Sequence, residues 1–83
     1  LPIQEDINYY IEEINKLGFK EKINLNVTEA SEILGVSKSY LHVLRSRNIE
    51  IDYIEIGTKI LYPKKSIAEF LANKINKTKR RIN

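Results

Sequence analysis

The stretch VTEASEILGVSKSYLHVL, residues 27–44, decides how this chain is read. Its apolar residues are Ala30, Leu34, Val36, Leu41 and Leu44, with the small Ser31 and Gly35 four apart between them. The pattern predicts two short helices joined by a glycine turn. Thr28 is expected to cap the first, with Glu29 and Glu32 near the positive end of its dipole. Gly35 can take the left-handed conformation that ends a helix, and a small side chain at Ser31 lets two helices approach closely. Ser37 is expected to cap the second. The helices are predicted over residues 28–34 and 38–47.

Working outward, residues 3–17 place Ile3, Ile7, Tyr10, Ile11, Ile14 and Leu17 three or four apart, an amphipathic helix. Gly18 is expected to stop it, with Phe19 folding back on the last turn. The Ile3, Ile7, Ile11, Ile14 stripe is read first as core beside the last helix, and second as a dimer or partner surface. A polar linker follows, and Leu25 and Val27 suggest a brief extended segment. On the other side, residues 51–56 and 59–62 are β-branched and aromatic around Gly57-Thr58, a hairpin signal. Pro63 suits the first turn of a final helix whose buried stripe is expected to be Ile67, Phe70, Leu71 and Ile75. The last residues, NKTKRRIN, form a basic tail expected to be disordered when free. The expected organisation is a helix and linker over 1–22, a folded unit over 23–75 and a tail over 76–83.

Composition narrows the function. With 83 residues, one small domain with a modest core is expected. The chain has no cysteine and one histidine, His42, so disulfides, thiolate metal sites and a zinc centre are not expected. No apolar run is long enough to span a membrane and no signal peptide opens the chain. A cytoplasmic protein of prokaryotic, phage or plasmid origin is expected. The chain opens on Leu1, which is read as the mark of a processed form or a piece of something longer. The net charge of +3 hides a split. Residues 1–36 carry three lysines against seven acids, a net of −4, and residues 37–83 carry eleven Lys and Arg against four acids, a net of +7. The positive half begins where the second helix of the glycine turn begins, which suggests an anionic partner docking on one face.

Two helices with this spacing are what a DNA-binding helix-turn-helix needs, its second helix lying in the major groove. With the hairpin and last helix added, the chain resembles the MerR-like winged helix-turn-helix family, specifically its small excisionase-type proteins. The resemblance rests on LNVTEASEILGVS, residues 25–37, and IGTKILYPKKSIAEFL, residues 56–71. Ile56 and Gly57 stand where that family opens its wing tip, and Tyr62 and Pro63 where an aromatic or aliphatic residue followed by proline starts the last helix. Three departures stand out: the segment 48–53 is slightly longer than is usual, Asn48 replaces a common glycine, and the helix over 3–17 is an addition. The fold expected is therefore mainly α with a small β-hairpin wing, preceded by an extra amphipathic helix.

With Leu41 and Leu44 facing the core, the second helix exposes Lys38, Ser39, Tyr40, His42, Val43, Arg45, Ser46 and Arg47. Ser39 and Tyr40 are expected over bases, with His42, Val43 and Arg45 next; Val43 can touch a thymine methyl, and Arg45 can pair with guanine. Ser37, Lys38 and Arg47 are expected on phosphates. The resemblance brings the wing tip, Thr58 and Lys59, to the adjacent minor groove or its phosphates. Lys64 and Lys65 begin the last helix, where free amides favour phosphate. Lys77, Lys79, Arg80 and Arg81 form an arm suited to backbone contact. Catalysis finds no constellation: the three glycines are too far apart for a phosphate loop, and Glu12-Glu13 and Glu29/Glu32 are explained by helix surface and capping. No cofactor is expected, and the chain is read as a non-enzyme.

The partner expected is double-stranded DNA, with further copies of the chain or an integrase or recombinase beside it. The resemblance implies an accessory factor that binds beside a recombination site, bends the DNA and steers an integrase toward excision. Alternatives are a small transcriptional regulator, the DNA-targeting domain of a larger recombinase, replication or segregation protein, and a protein-interaction module acting through residues 3–17.

Overall fold

The structure is a computed structural model that describes residues 3–76. Lys77, Lys79, Arg80 and Arg81 lie outside the described residues. Helix α1 spans Gln4–Ile14 and runs into a wide turn, Asn15–Phe19, in which Gly18 has φ 101° as its stop position predicts. There follow strand β1 (Asn24–Asn26), helices α2 (Val27–Leu34) and α3 (Lys38–Arg47), strands β2 (Ile54–Ile56) and β3 (Lys59–Pro63), and helix α4 (Lys64–Lys74). This is the mainly helical architecture with a small sheet expected of a winged helix-turn-helix behind an additional helix.

The glycine turn forms as predicted. Gly35 is left-handed at φ 72°, and the amides of Gly35 and Val36 both donate to the Ser31 carbonyl, at 2.8 and 3.1 Å. Ser31 is buried, and its hydroxyl donates back to the Thr28 carbonyl. Ser37 caps α3 by accepting from the Tyr40 amide at 3.0 Å. The start of α2 differs from expectation by two residues. Asn26 is the cap, accepting from the Glu29 amide at 2.8 Å, and the Glu29 carboxylate accepts from the Asn26 amide at 2.9 Å. That reciprocal pair satisfies two amides at once, whereas a cap at Thr28 would satisfy one. Helix α3 ends on Asn48, left-handed at φ 56°, whose amide and that of Ile49 close on the Leu44 and Arg45 carbonyls. Asparagine is the residue that best tolerates the conformation glycine takes there.

The hairpin is shorter than its sequence suggests and the sheet is larger. Residues 51–53 approach β2 as an irregular segment, and β1 adds a third strand, giving the antiparallel order β1-β3-β2. Leu25 sits opposite Tyr62, and Leu61 pairs with both Asn26 and Ile54. Leu25, Ala30, Leu41, Leu44, Ile51, Tyr62 and Ile67 form one core with Ile14. A second cluster holds α1 on α4: Ile7 packs on Ala68 and Ala72. Burying Ile7 and Ile14 contributes about 1.5–3 kcal/mol each. The isoleucine stripe is thus core at Ile7 and Ile14, half-buried at Ile11 and exposed at Ile3. Leu17 is also exposed, because the wide turn rotates it off the buried face. On α4 the stripe holds in part. Ile67, Ala68 and Ala72 are buried, Phe70 and Leu71 are half-buried and Ile75, past the helix end, is exposed. Ile7 of α1 is met by two alanines of α4, which apolar periodicity alone does not reveal. Among the described residues no helix is long and apolar enough to cross a membrane.

Candidate nucleic-acid interface

Helix α3 is the natural centre of the site, because its two buried residues, Leu41 and Leu44, fix which way every other side chain points. At 3.6 residues per turn, Ser39, His42, Val43 and Ser46 face away from the core. Lys38 and Arg45 fall along one shoulder of that face, and Tyr40 and Arg47 along the other. All are exposed except Arg45, which is half-buried. Tyr40 at 46% and Val43 at 42% exposure put two apolar groups on a polar face. Ser46 belongs to the outward face as fully as Ser39, although its distance from the helix start kept it out of the predicted base-facing set.

The cations on this side lack anionic partners. Among the described residues no carboxylate pairs with Lys38, Arg47 or Lys59. The wing tip is a two-residue turn at Gly57-Thr58, with Gly57 at φ 61° and Ile56 pairing with Lys59 across it. Thr58 and Lys59 are exposed there. Wing and helix are tied together by a contact no local pattern predicts. The Arg45 Nη1 donates to the Tyr62 hydroxyl at 2.7 Å, across 17 residues of chain. Tyr62 is only 1% exposed and its ring lies 6.3 Å from that of Tyr53. A signal for it did exist: a buried tyrosine, unlike a phenylalanine, needs a hydrogen-bond partner.

Lys64 and Lys65 part company. The Lys64 ammonium donates to Asn15 Oδ1 at 2.6 Å and to the Phe19 carbonyl at 3.0 Å, with the Lys20 carbonyl at 3.4 Å. It closes the carbonyl end of the turn after α1, where a positive charge also meets the negative end of the helix dipole. Lys65 is exposed, 3.9 Å from Glu69 one turn along. Three other lysines are matched within the fold: Lys16 with Glu13 at 3.0 Å, Lys22 with Glu29 at 2.8 Å and Lys74 with Glu50 at 3.0 Å. The Glu29 carboxyl is held below the usual carboxylate range by its bond from Lys22 and then by the Asn26 amide. An open hollow of about 490 Å³ follows α3, lined by residues 48–53 and Glu55. Glu50, Asp52 and Glu55 make it unsuited to phosphate.

Two helices at a tight turn, a wing latched to the second, and unpaired cations on both shoulders of an exposed polar helix face suit a polyanion with a groove. The family model for the helix-turn-helix domain matches residues 25–75. No curated protein and no solved structure gives a significant match.

Proposed function

The chain belongs to the helix-turn-helix domain family, whose match takes in β1, both turn helices, the hairpin and α4, and from that premise we propose that it is a sequence-specific double-stranded DNA-binding protein of the excisionase type. In this reading α3 lies in the major groove. Ser39, Tyr40, His42 and Val43 meet base edges, with Ser46 added to them, while Lys38 and Arg47 hold phosphates on either side with Ser37 at the helix start. Thr58 and Lys59 of the wing touch the neighbouring minor groove or its backbone. Lys65 and the arm Lys77, Lys79, Arg80 and Arg81 add phosphate contacts. Lys64 does not belong to this surface, because its ammonium is already engaged three ways inside the fold.

The observation that carries the reading is the outward face of α3, polar at its centre and flanked by cations that no carboxylate among the described residues neutralises. A helix meant only for solvent gains nothing from leaving Lys38 and Arg47 unpaired on opposite shoulders; a helix in a groove needs a positive charge toward each strand. Engaging wing and helix together favours bent DNA. Bending of 40–90° costs about 1–6 kcal/mol and is offset by the added contacts. The excisionase role is supported by the likeness of residues 25–37 and 56–71 to MerR-like excisionase-type proteins, and bending is what that role requires.

Fluorescence anisotropy on a pool of random duplexes across a salt series tests the proposal, with sequencing of the bound fraction. Binding that weakens steeply with salt and enriches a motif is expected. Electrophoretic mobility of duplexes with the motif at different positions then reads the bend. Motif binding without a bend favours a transcriptional regulator over an excision factor, and no binding at low salt overturns the reading.

A further inference from the structure

We propose that Tyr62 is a positioning residue for base recognition: its hydroxyl holds Arg45 so that the guanidinium presents a fixed donor edge to a guanine in the major groove. The inference rests on the DNA-binding reading above and deepens it.

Arg45 is unlike the other cations of α3. Lys38 and Arg47 are exposed, whereas Arg45 is half-buried at the shoulder of the helix, with Nη1 bonded at 2.7 Å to a hydroxyl whose residue is 1% exposed. Tyr62 cannot follow a mobile partner. It lies in the middle strand of the sheet, opposite Leu25, within the main core and beside the Tyr53 ring. An arginine has five N–H donors in a rigid planar fork. The bond through Nη1 leaves the edge made by Nε and Nη2 whole, and that edge matches two acceptors lying in one plane. In the major groove the guanine O6 and N7 are such a pair.

The reason to assign guanine over phosphate is geometric. A phosphate accepts over a wide range of directions, and a loose side chain such as Arg47 satisfies it. Two acceptors on one base edge have a single plane and a fixed spacing, so orienting the fork before binding matters there. Tyr62 lies in the strand that forms one arm of the wing, so the same bond makes wing placement and base reading one mechanical unit.

The test uses the whole chain with Arg45→Ala, Arg45→Lys and Tyr62→Phe, the random duplex pool, and sequencing of the bound fraction. Thermal unfolding is run in parallel. Arg45→Ala is expected to remove roughly tenfold or more of the preference for one guanine. Arg45→Lys is expected to lose the same preference while keeping the salt dependence, because it retains the charge and lacks the fork. Tyr62→Phe is expected to unfold cooperatively and to lower preference at that same guanine by about threefold or more, with the salt dependence unchanged. In the free protein, slow rotation of the Arg45 guanidinium, read by nitrogen-detected NMR, is expected to speed up in Tyr62→Phe. An intact preference profile in Tyr62→Phe beside a flattened one in Arg45→Ala overturns the positioning role. A uniform loss in Arg45→Ala, with the salt slope reduced by about one, assigns Arg45 to phosphate and overturns the inference while leaving the DNA-binding reading in place. Failure of the unaltered chain to bind any duplex overturns both.

Discussion

The α1–α2–α4 side of the molecule and the α3–wing side handle positive charge in opposite ways. On the first, Lys16 and Lys22 meet carboxylates, and Lys64 is bonded to Asn15 and the carbonyls that end the first helical segment. On the second, Lys38, Arg47 and Lys59 have no carboxylate among the described residues, and Arg45 is held by a neutral hydroxyl. The same residue types therefore do different work. Cations matched within the chain support the fold, whereas Lys38, Arg47 and Lys59 are left available to an anionic partner. A net charge of +3 for the whole chain conceals this division, and the count by halves exposes it only in part, since Lys64 lies in the positive half and serves the other side.

The division can be broken by substitution on each side. The largest stability effect is expected at Lys64. Lys64→Met leaves Asn15 Oδ1 and the Phe19 carbonyl without their charged donor, at a cost of about 2 kcal/mol. Urea unfolding measures this, and the DNA salt slope is expected to stay the same. A lowered slope with unchanged stability would move Lys64 to the other class. The converse is expected at Lys59 and Arg47. Alanine at either changes stability by less than about 0.5 kcal/mol and reduces the salt slope of DNA binding by about one.

Glu29 sharpens the comparison through pH. Its carboxyl is held below the ordinary carboxylate range in the folded protein, first by Lys22 and then by the Asn26 amide. A lowered folded value means that the charged form stabilises the fold above the ordinary carboxylate pKa, and that this stabilisation disappears as pH falls through the lower folded value. Glu29→Gln is accordingly expected to cost up to about 1 kcal/mol at neutral pH. The gap from the unaltered chain should close on acidification, as followed by urea unfolding at a series of pH values. A gap that persists at acid pH would assign the effect to side-chain shape and not to charge. The smallest effect is expected at Asn48. Glycine there removes the penalty of a side chain at φ 56° and is expected to stabilise the chain by about 0.5 kcal/mol, seen as a modest rise in Tm with unchanged DNA affinity.

Helix stops and caps set by neighbouring residues are legible in the sequence. Gly35, Ser31 and Ser37 act within a few residues of themselves, and the helix ends they specify are where their spacing put them. Local competition between caps was harder. Thr28 and Asn26 are both good caps, and the reciprocal bond with Glu29 selects Asn26. The α4 stripe of Ile67, Phe70, Leu71 and Ile75 holds in part: Ile67 is core, Phe70 and Leu71 pack against it, and Ile75 is exposed. Periodicity finds large apolar residues, but a helix packed as closely as α4 is on Ile7 is lined by Ala68 and Ala72.

By itself, the sequence determined the two-helix turn with its Gly35 stop and Ser37 cap, the hairpin, the flanking helices and the outward face of α3, because each rests on contacts between residues a few positions apart. Only the tertiary structure decided three things. β1 joins the sheet across 37 residues, pairing Leu25 with Tyr62 on the side of the hairpin away from β2. Lys64 bonds back to Asn15 rather than facing outward, across 49 residues. Arg45 is anchored where Lys38 and Arg47 are open. Each depends on which surfaces meet when the core closes, and a lysine or arginine reads the same in sequence whether its partner is a carbonyl of its own chain, a tyrosine hydroxyl or a phosphate.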